Sequence, residues 1–313
     1  MKKEPLDEIT NPEVQMTGFI VIDKPKNITS FSAVARLRRI TGEKKAGHTG
    51  TLDPMATGVL PIMLGGATRF SELLPSHDKG YRATVRLGLT TDTLDITGKV
   101  LSTCEVAAKA VDFEKVLKSF EGEISQLPPM FSALSKDGVR LYELARKGLE
   151  IERETRQVTI YSADLLAFDE EKNDYEIDVK CSAGTYIRTL AADIGAALGC
   201  GATLTELRRT LSNGFKLEDS VTLEQLEKSA AASELSAHLL KVDSVLDLYP
   251  AVQVTPAQSV RFKNGGALDL VRMKPQSTLG YFRIYSDENE FLGIGEISEG
   301  SGEMTVKRVF NSN

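Results

Sequence analysis

The 313-residue sequence contains no tryptophan, three cysteines and three histidines. Cys104, Cys181 and Cys200 form no CxxC pair, and an odd number gives no disulfide framework, so the expectation is three reduced thiols in a cytoplasmic protein. His48, His77 and His238 are too few and too scattered for a zinc site. No apolar run approaches the roughly 18 residues that a membrane-spanning helix requires. The opening MKKEPLDEIT lacks the apolar stretch of a secretory signal. A GxxxxGK run followed by Ser or Thr is also missing, which excludes the commonest nucleotide-phosphate loop. TTDTLDITG (90–98) spaces Asp92 and Asp95 three apart without matching a calcium loop. With 41% hydrophobic and 26% charged residues, the composition is that of an ordinary globular protein, and the length favours about two domains.

Positive charge is in short supply overall, with a net charge of −6. By itself this argues mildly against a polyanionic partner, because phosphate binding relies on basic surface. The distribution is uneven, however. Residues 31–48 hold Arg36, Arg38, Arg39, Lys44 and Lys45 against Glu43 alone, whereas residues 216–247 carry seven acids and three bases. Such a chain can present a basic face on an acidic protein, or simply a solvated helix.

GFIVID (18–23) reads as a buried strand followed by the turn DKPKN. Thr29 or Ser30 can then cap a helix with Phe31, Val34 and Leu37 on one side. YRATVRLG (81–88) alternates strictly, with Tyr81, Ala83, Val85 and Leu87 inward, and YEIDVKC (175–181) repeats the pattern. From Thr185 the apolar spacing becomes helical through Ile187, Leu190, Ala191, Ile194 and Leu198. Residues 131–157, rich in charge of both signs, read as an inserted, exposed helical segment. After residue 248 the chain reads as a small all-β unit, with a hairpin at 280–297 and a closing strand at 304–310. The expected domains are therefore 1–248 and 249–313.

One stretch stands apart. GHTGTLDPMATGVL (47–60) surrounds a single carboxylate, Asp53, with three glycines, a histidine and a proline. Pro54 pushes the Asp53 backbone toward an extended conformation, and the glycines permit close approach of a ligand. An isolated DP pair would be an ordinary turn. Glycoside hydrolysis normally takes two carboxylates, and the sequence leaves open a pairing of Asp53 with Asp92 or Asp95.

GHTGTLDPMATGVL closely resembles the signature of the TruB family of tRNA pseudouridine-55 synthases. GFIVIDKPKNITS is similar to that family's DKPxGxTS element, with Asn27 where glycine is usual; asparagine also tolerates a left-handed turn. KGYRATVRLGLTTDTLDITG resembles the block that contains the substrate-stacking tyrosine. QLPPMFSALSKDGVRLYELARKG resembles the QxPPxxSA block, with Ser135 where lysine is expected. GGATRF has Arg69 where the family often has lysine. CSAGTYIRTLAADIG and GATLTELRRT complete the series, and the blocks span residues 18–215 in the family's order.

The resemblance implies an α+β fold: a mixed, mainly antiparallel central sheet with flanking helices, followed by a small all-β, PUA-like RNA-binding domain. It implies isomerisation of uridine 55 in the T-arm loop of tRNA. Asp53 is then the nucleophile, Arg188 orients it, and His48, Tyr81, Tyr186 and Leu207 bind the flipped-out uridine. Breaking a glycosidic bond and rejoining the same base through C5 adds and removes nothing, so no cofactor and no metal are expected, and no protein partner is implied. Arg36, Arg38, Arg39, Lys44, Lys45, Arg208 and Arg209 are candidates for phosphate contacts. The alternatives are a tRNA-binding or tRNA-folding protein with secondary or lost catalysis, and the same chemistry on another RNA.

Overall fold

A computed structural model describes residues 16–136, 138–273 and 279–311. The nine strands of the larger sheet are β1 (Gly18–Lys24), β2 (Ala46–His48), β3 (Thr57–Leu64), β4 (Lys79–Leu87), β5 (Gly122–Gln126), β6 (Arg156–Asp169), β7 (Asp174–Cys181), β8 (Ala202–Ser212) and β9 (Phe215–Lys216). Their order is β1-β3-β8-β4-β7-β6-β5, with β2 alongside β3 and β9 alongside β8. Only β3 and β8 run parallel; all other pairs are antiparallel. This is the mixed, mainly antiparallel sheet that the resemblance implies.

Helices α1 (Ser30–Thr41), α2 (Ala110–Ser119), α4 (Ile187–Ala197) and α5 (Leu223–Ala231) cover one face of the sheet; a short α3 (Leu141–Arg146) lies apart from them. GFIVI (18–22) is apolar throughout because β1 is buried on both faces. Ile20 and Ile22 join the helix-covered core, while Phe19 and Val21 join a second cluster behind the sheet. Strict alternation holds in β4 and β7, where Tyr81, Ala83, Val85 and Leu87 and then Tyr175, Ile177, Val179 and Cys181 are buried. The apolar stripe of α4 is buried from Ile187 through Ile194, with Leu198 half-buried beyond the helix end.

Thr29 caps α1, its hydroxyl accepting from the Ser32 amide at 3.0 Å, and Gly42 ends the helix at φ 73. The expected apolar side of α1 is corrected at its first member: Val34 and Leu37 are buried, but Phe31 is 75% exposed. Two residues after the cap, Phe31 falls outside the narrow stripe that faces the sheet. The segment 131–157 is exposed but only partly helical. It pairs Ser135–Lys136 with Val139–Arg140 and follows with the six-residue α3, and β6 already begins at Arg156.

A second sheet of five strands is formed by Ala251–Gln253, Leu268–Asp269, Gly280–Tyr285, Phe291–Ile297 and Glu303–Val309. It also carries a helix that the sequence reading missed, Pro256–Lys263. Thr255 caps this helix, Pro256 opens it and Gln258 completes a capping box. Its own core holds Phe262, Phe282, Ile284, Leu292 and Met304. Phe291 and Ile294, in contrast, join Phe70, Leu73 and Met63 in the cluster behind the larger sheet, with Phe310 packed against it.

Candidate active site

The fourteen-residue stretch around Asp53 forms β2, a loop and the start of β3, and several buried groups hold the loop from beneath. Ser30, at the start of α1, accepts a hydrogen bond from the Leu52 amide at 2.8 Å and donates to the Leu52 carbonyl at 3.0 Å. Lys24, fully buried at the end of β1, donates to the carbonyls of Pro25 (2.9 Å), Ile28 (2.8 Å) and Pro54 (3.4 Å). Asn27 takes a left-handed φ of 68, as its place in the turn demands, and its amide donates to the Pro54 carbonyl at 2.7 Å. Gly58 has φ 104, and a Cβ there would stand 2.2 Å from the Arg209 carbonyl, so β3 and β8 meet at a spacing only glycine allows.

Asp53 projects from this loop into a cavity of about 340 Å³. Arg188, on the first turn of α4 and 5% exposed, grips it with both edges of the fork: Nε to Oδ2 at 2.9 Å and Nη2 to Oδ1 at 3.2 Å. Two further donors are fixed as well, Nη1 on the Thr93 carbonyl (3.0 Å) and Nη2 also on the Phe131 carbonyl (2.8 Å). Such an arginine can hold its partner in one orientation. Burial pushes the Asp53 carboxyl above its ordinary value, Arg188 opposes that shift, and nearby Asp95 adds to it. The two aspartates do not form an acid–base pair with free oxygens. Asp95 Oδ1 accepts from the Thr93 hydroxyl and from the amide and hydroxyl of Thr97, while Oδ2 lies 3.9 Å from Arg188. Asp92 accepts from the Lys99 amide at 2.8 Å and closes its own turn.

Tyr81, Tyr186 and Leu207 all line the cavity with Asp53 and Arg188. Tyr186 stands just before α4, its backbone bracketed by Gln126, whose side chain accepts from the Tyr186 amide (2.9 Å) and donates to its carbonyl (3.3 Å). His48 is the exception among the expected site residues. It ends β2 opposite Ile62, and Thr49 rather than His48 lines the cavity. Its Nδ1 is buried without a partner, and burial lowers its pKa.

Of the seven candidate phosphate contacts, Arg208 and Arg36 are paired with carboxylates, and Arg209 is buried at the cavity wall with backbone carbonyls as its partners. Arg209 is 1% exposed and lies under the Asp53 loop. Arg208 pairs with Asp23 at 2.6 Å, and Arg36 with Glu224 and Glu227 at 3.1 and 2.8 Å. The basic stretch and the acidic stretch noted in the sequence thus partly neutralise one another across α1 and α5. Arg38, Arg39, Lys44 and Lys45 are exposed. Lys24, His77 and Lys79, none of them singled out in the sequence, belong to the site or its support. Nothing in the spacing of DKP or HDKG marks a lysine as buried.

Three family models match consecutive parts of the chain. They are the TruB family pseudouridylate synthase N-terminal domain over residues 38–187, the tRNA pseudouridylate synthase B C-terminal domain over 188–247, and the pseudouridine synthase II TruB C-terminal region over 250–310. The chain is 48% identical to tRNA pseudouridine synthase B of Azoarcus sp. (strain BH72), covering 93% of this chain and 94% of that protein. It is 45% identical to tRNA pseudouridine synthase B of Pseudomonas fluorescens, covering 95% and 96%. Among solved structures it is similar to a chain of a Cbf5-Nop10-Gar1 complex, with TM-score 0.72 and 27% identity over 95% of this chain and 85% of that one. It is also similar to a chain of an H/ACA RNP bound to a substrate RNA containing 2'-deoxyuridine, with TM-score 0.70 and 25% identity over 99% and 95%. With near-complete coverage at this identity, the chain belongs to the TruB family of pseudouridylate synthases.

Proposed function

We propose that the protein isomerises uridine 55 in the T-arm loop of tRNA to pseudouridine, with Asp53 as nucleophile on a flipped-out base. The observation that carries this reading is Asp53, the one carboxylate lining the cavity among the described residues, held at both oxygens by a buried arginine. Isomerisation needs one covalent partner for the base or sugar, and an oriented, ionised carboxylate is sufficient. The N1–C1′ bond breaks, the uracil turns, C5 joins C1′, and the C5 proton passes to N1 or solvent. Tyr81, Tyr186 and Leu207 give a flipped base an aromatic and apolar enclosure. Stacking on such a ring is worth about 1–3 kcal/mol, comparable to the cost of removing the base from its stack. The relatives named tRNA pseudouridine synthase B support tRNA as the substrate, and a tRNA substrate is consistent with a cytoplasmic enzyme.

The test uses tRNA transcripts labelled with tritium at uridine C5, whose release reports turnover, together with mapping of the modified position. Wild-type protein is expected to release tritium and to mark position 55. Asp53→Asn is expected to release none while binding tRNA within a few fold of wild type. Substantial release by Asp53→Asn would remove Asp53 as nucleophile. Release with another position marked would replace the T-arm assignment.

A further inference from the structure

The cavity has a second charged wall that the reaction as described does not use. Lys79 lies on β4 two residues before Tyr81 and is 8% exposed. Its ammonium donates to Asn213 Oδ1 (2.6 Å) and to Ser212 Oγ (3.1 Å). Arg209, on β8, gives its donors to three carbonyls: Val59 (2.7 Å), Thr51 (3.3 Å) and Gly50 (3.2 Å). Among the described residues, neither cation has a carboxylate within 4.0 Å. Both line the cavity, and both converge on one point: a Cβ on Gly50 would lie 3.8 Å from Arg209 Nη1 and 4.0 Å from Lys79 Nζ. Thr49 and His77 complete this wall. The Thr49 hydroxyl donates to the same Asn213 oxygen at 2.8 Å, and His77 Nδ1 is 3.3 Å from Asn213 Nδ2.

Burying a cation without an opposite charge costs several kcal/mol. Here the effect is visible in Lys79, whose pKa burial lowers to about 7, with Arg209 pushing the same way and Cys181 and Asp78 opposing. Two such cations beside an open cavity are stabilised by an anion that arrives from outside. In RNA the fixed anions are backbone phosphates. The uracil would lie near Asp53, whose charge acts on Lys24 and on Arg209 beneath the same loop. Lys79, by contrast, is set against Arg209, Cys181 and Asp78 and so stands farther from the reacting base.

We infer that Lys79 and Arg209, with Thr49 and His77 at the rim, form a subsite for an RNA backbone phosphate next to the reacting uridine. The inference rests on the proposed reaction for the identity of the ligand. A nucleotide docked at both ends is fixed at its phosphate and at its base, which sets the sugar between them against Asp53.

The experiment measures binding of a T-arm stem–loop RNA to protein carrying Asp53→Asn, so that the RNA is not turned over. A single methylphosphonate, which removes one charge, is introduced at each phosphate flanking the target uridine in turn. At one of them binding is expected to weaken roughly tenfold. Lys79→Met is expected to cost a similar factor and to reduce the salt dependence of binding by about one phosphate contact. Combining the two should add little further loss. Gly50→Ala, which sets a methyl between the cations, gives an independent variant and should abolish the methylphosphonate effect even if Lys79→Met does not fold. Unchanged affinity and salt slope in Lys79→Met, or fully additive losses, would overturn the subsite. Normal binding with a collapsed single-turnover rate, measured without Asp53→Asn, would assign Lys79 to the uracil instead. Turnover of the unmodified stem–loop by wild-type protein tests the underlying reaction separately.

Discussion

Arg188 has its guanidinium donors directed at four acceptors, the two oxygens of Asp53 and the carbonyls of Thr93 and Phe131. A lysine in its place could reach one or two of them from a single point, and it would leave buried carbonyls without donors. Arg188→Lys is therefore expected to lose roughly 100-fold in single-turnover rate, about 3 kcal/mol of barrier. Near-normal rates would mean that Asp53 needs no fork. The Asp53 carboxyl itself is raised by burial, and only its ionised form can attack, so the rate should begin to fall on acidification at a higher pH than an ordinary carboxylate would set. A pH series of single-turnover rates locates that limb. A limb at or below the ordinary carboxylate value would mean that the arginine outweighs burial. At this scale the sequence was uneven in what it disclosed. The carboxylate stood out by its proline and glycines, and the resemblance pointed to its arginine. Lys24 and Lys79 were invisible, because a buried lysine and a surface lysine look alike until the strands around them are known. His48 was expected in the cavity, yet the chain turns there so that Thr49 faces it.

At the scale of elements, the meeting of β3 and β8 fixes where the Asp53 loop can lie. Gly58 faces the backbone of Arg209 across the one parallel pairing of the larger sheet. Gly58→Ala would combine a positive φ with a contact of 2.2 Å to a carbonyl oxygen. Strain of that kind costs about 1–3 kcal/mol before the displacement of either strand is counted. The variant should unfold at lower denaturant and lose activity by shifting the loop, whereas unchanged stability would show that the strands can part freely. Period-two patterns were legible in β4 and β7 because each has one polar and one apolar edge of its pleat. A strand buried on both faces, β1, was readable only as an apolar run. The helix Pro256–Lys263 carried its capping signals in TPAQ, but it lacks a broad apolar stripe: only Phe262 and Ser259 are buried. Periodicity was a weaker guide there than the caps. Phe31 failed for the opposite reason, since spacing alone does not say how wide a helix's buried stripe is.

For the molecule as a whole, the grouping of hydrophobic side chains matters more than the boundary near residue 248. Phe70 lies 6.2 Å from Phe291 and 6.0 Å from Phe310 by ring centroids, and Phe291 lies 5.3 Å from Phe310. A small unit that merely grips RNA could be removed without harm to the remainder. This one could not. Ending the chain after Leu248 should expose Phe70, Leu73 and Met63 and lower stability by at least about 3 kcal/mol, the scale for deleting a buried aromatic side chain. Thermal unfolding of the truncated protein decides the point, and a midpoint equal to that of the full chain would mean that the cluster adds nothing. The uneven charge of the sequence resolves at this scale too, since acids of α5 answer Arg36 of α1 and leave Arg38 and Arg39 outward. The shared aromatic cluster has a further bearing on how the protein opens. Two sheets joined by a common core are one cooperative unit, so amide protons at the centre of Phe291–Ile297 should exchange with solvent only as slowly as those of β3, through the same global opening. The melting curve should accordingly show a single step, with the calorimetric and van't Hoff enthalpies equal.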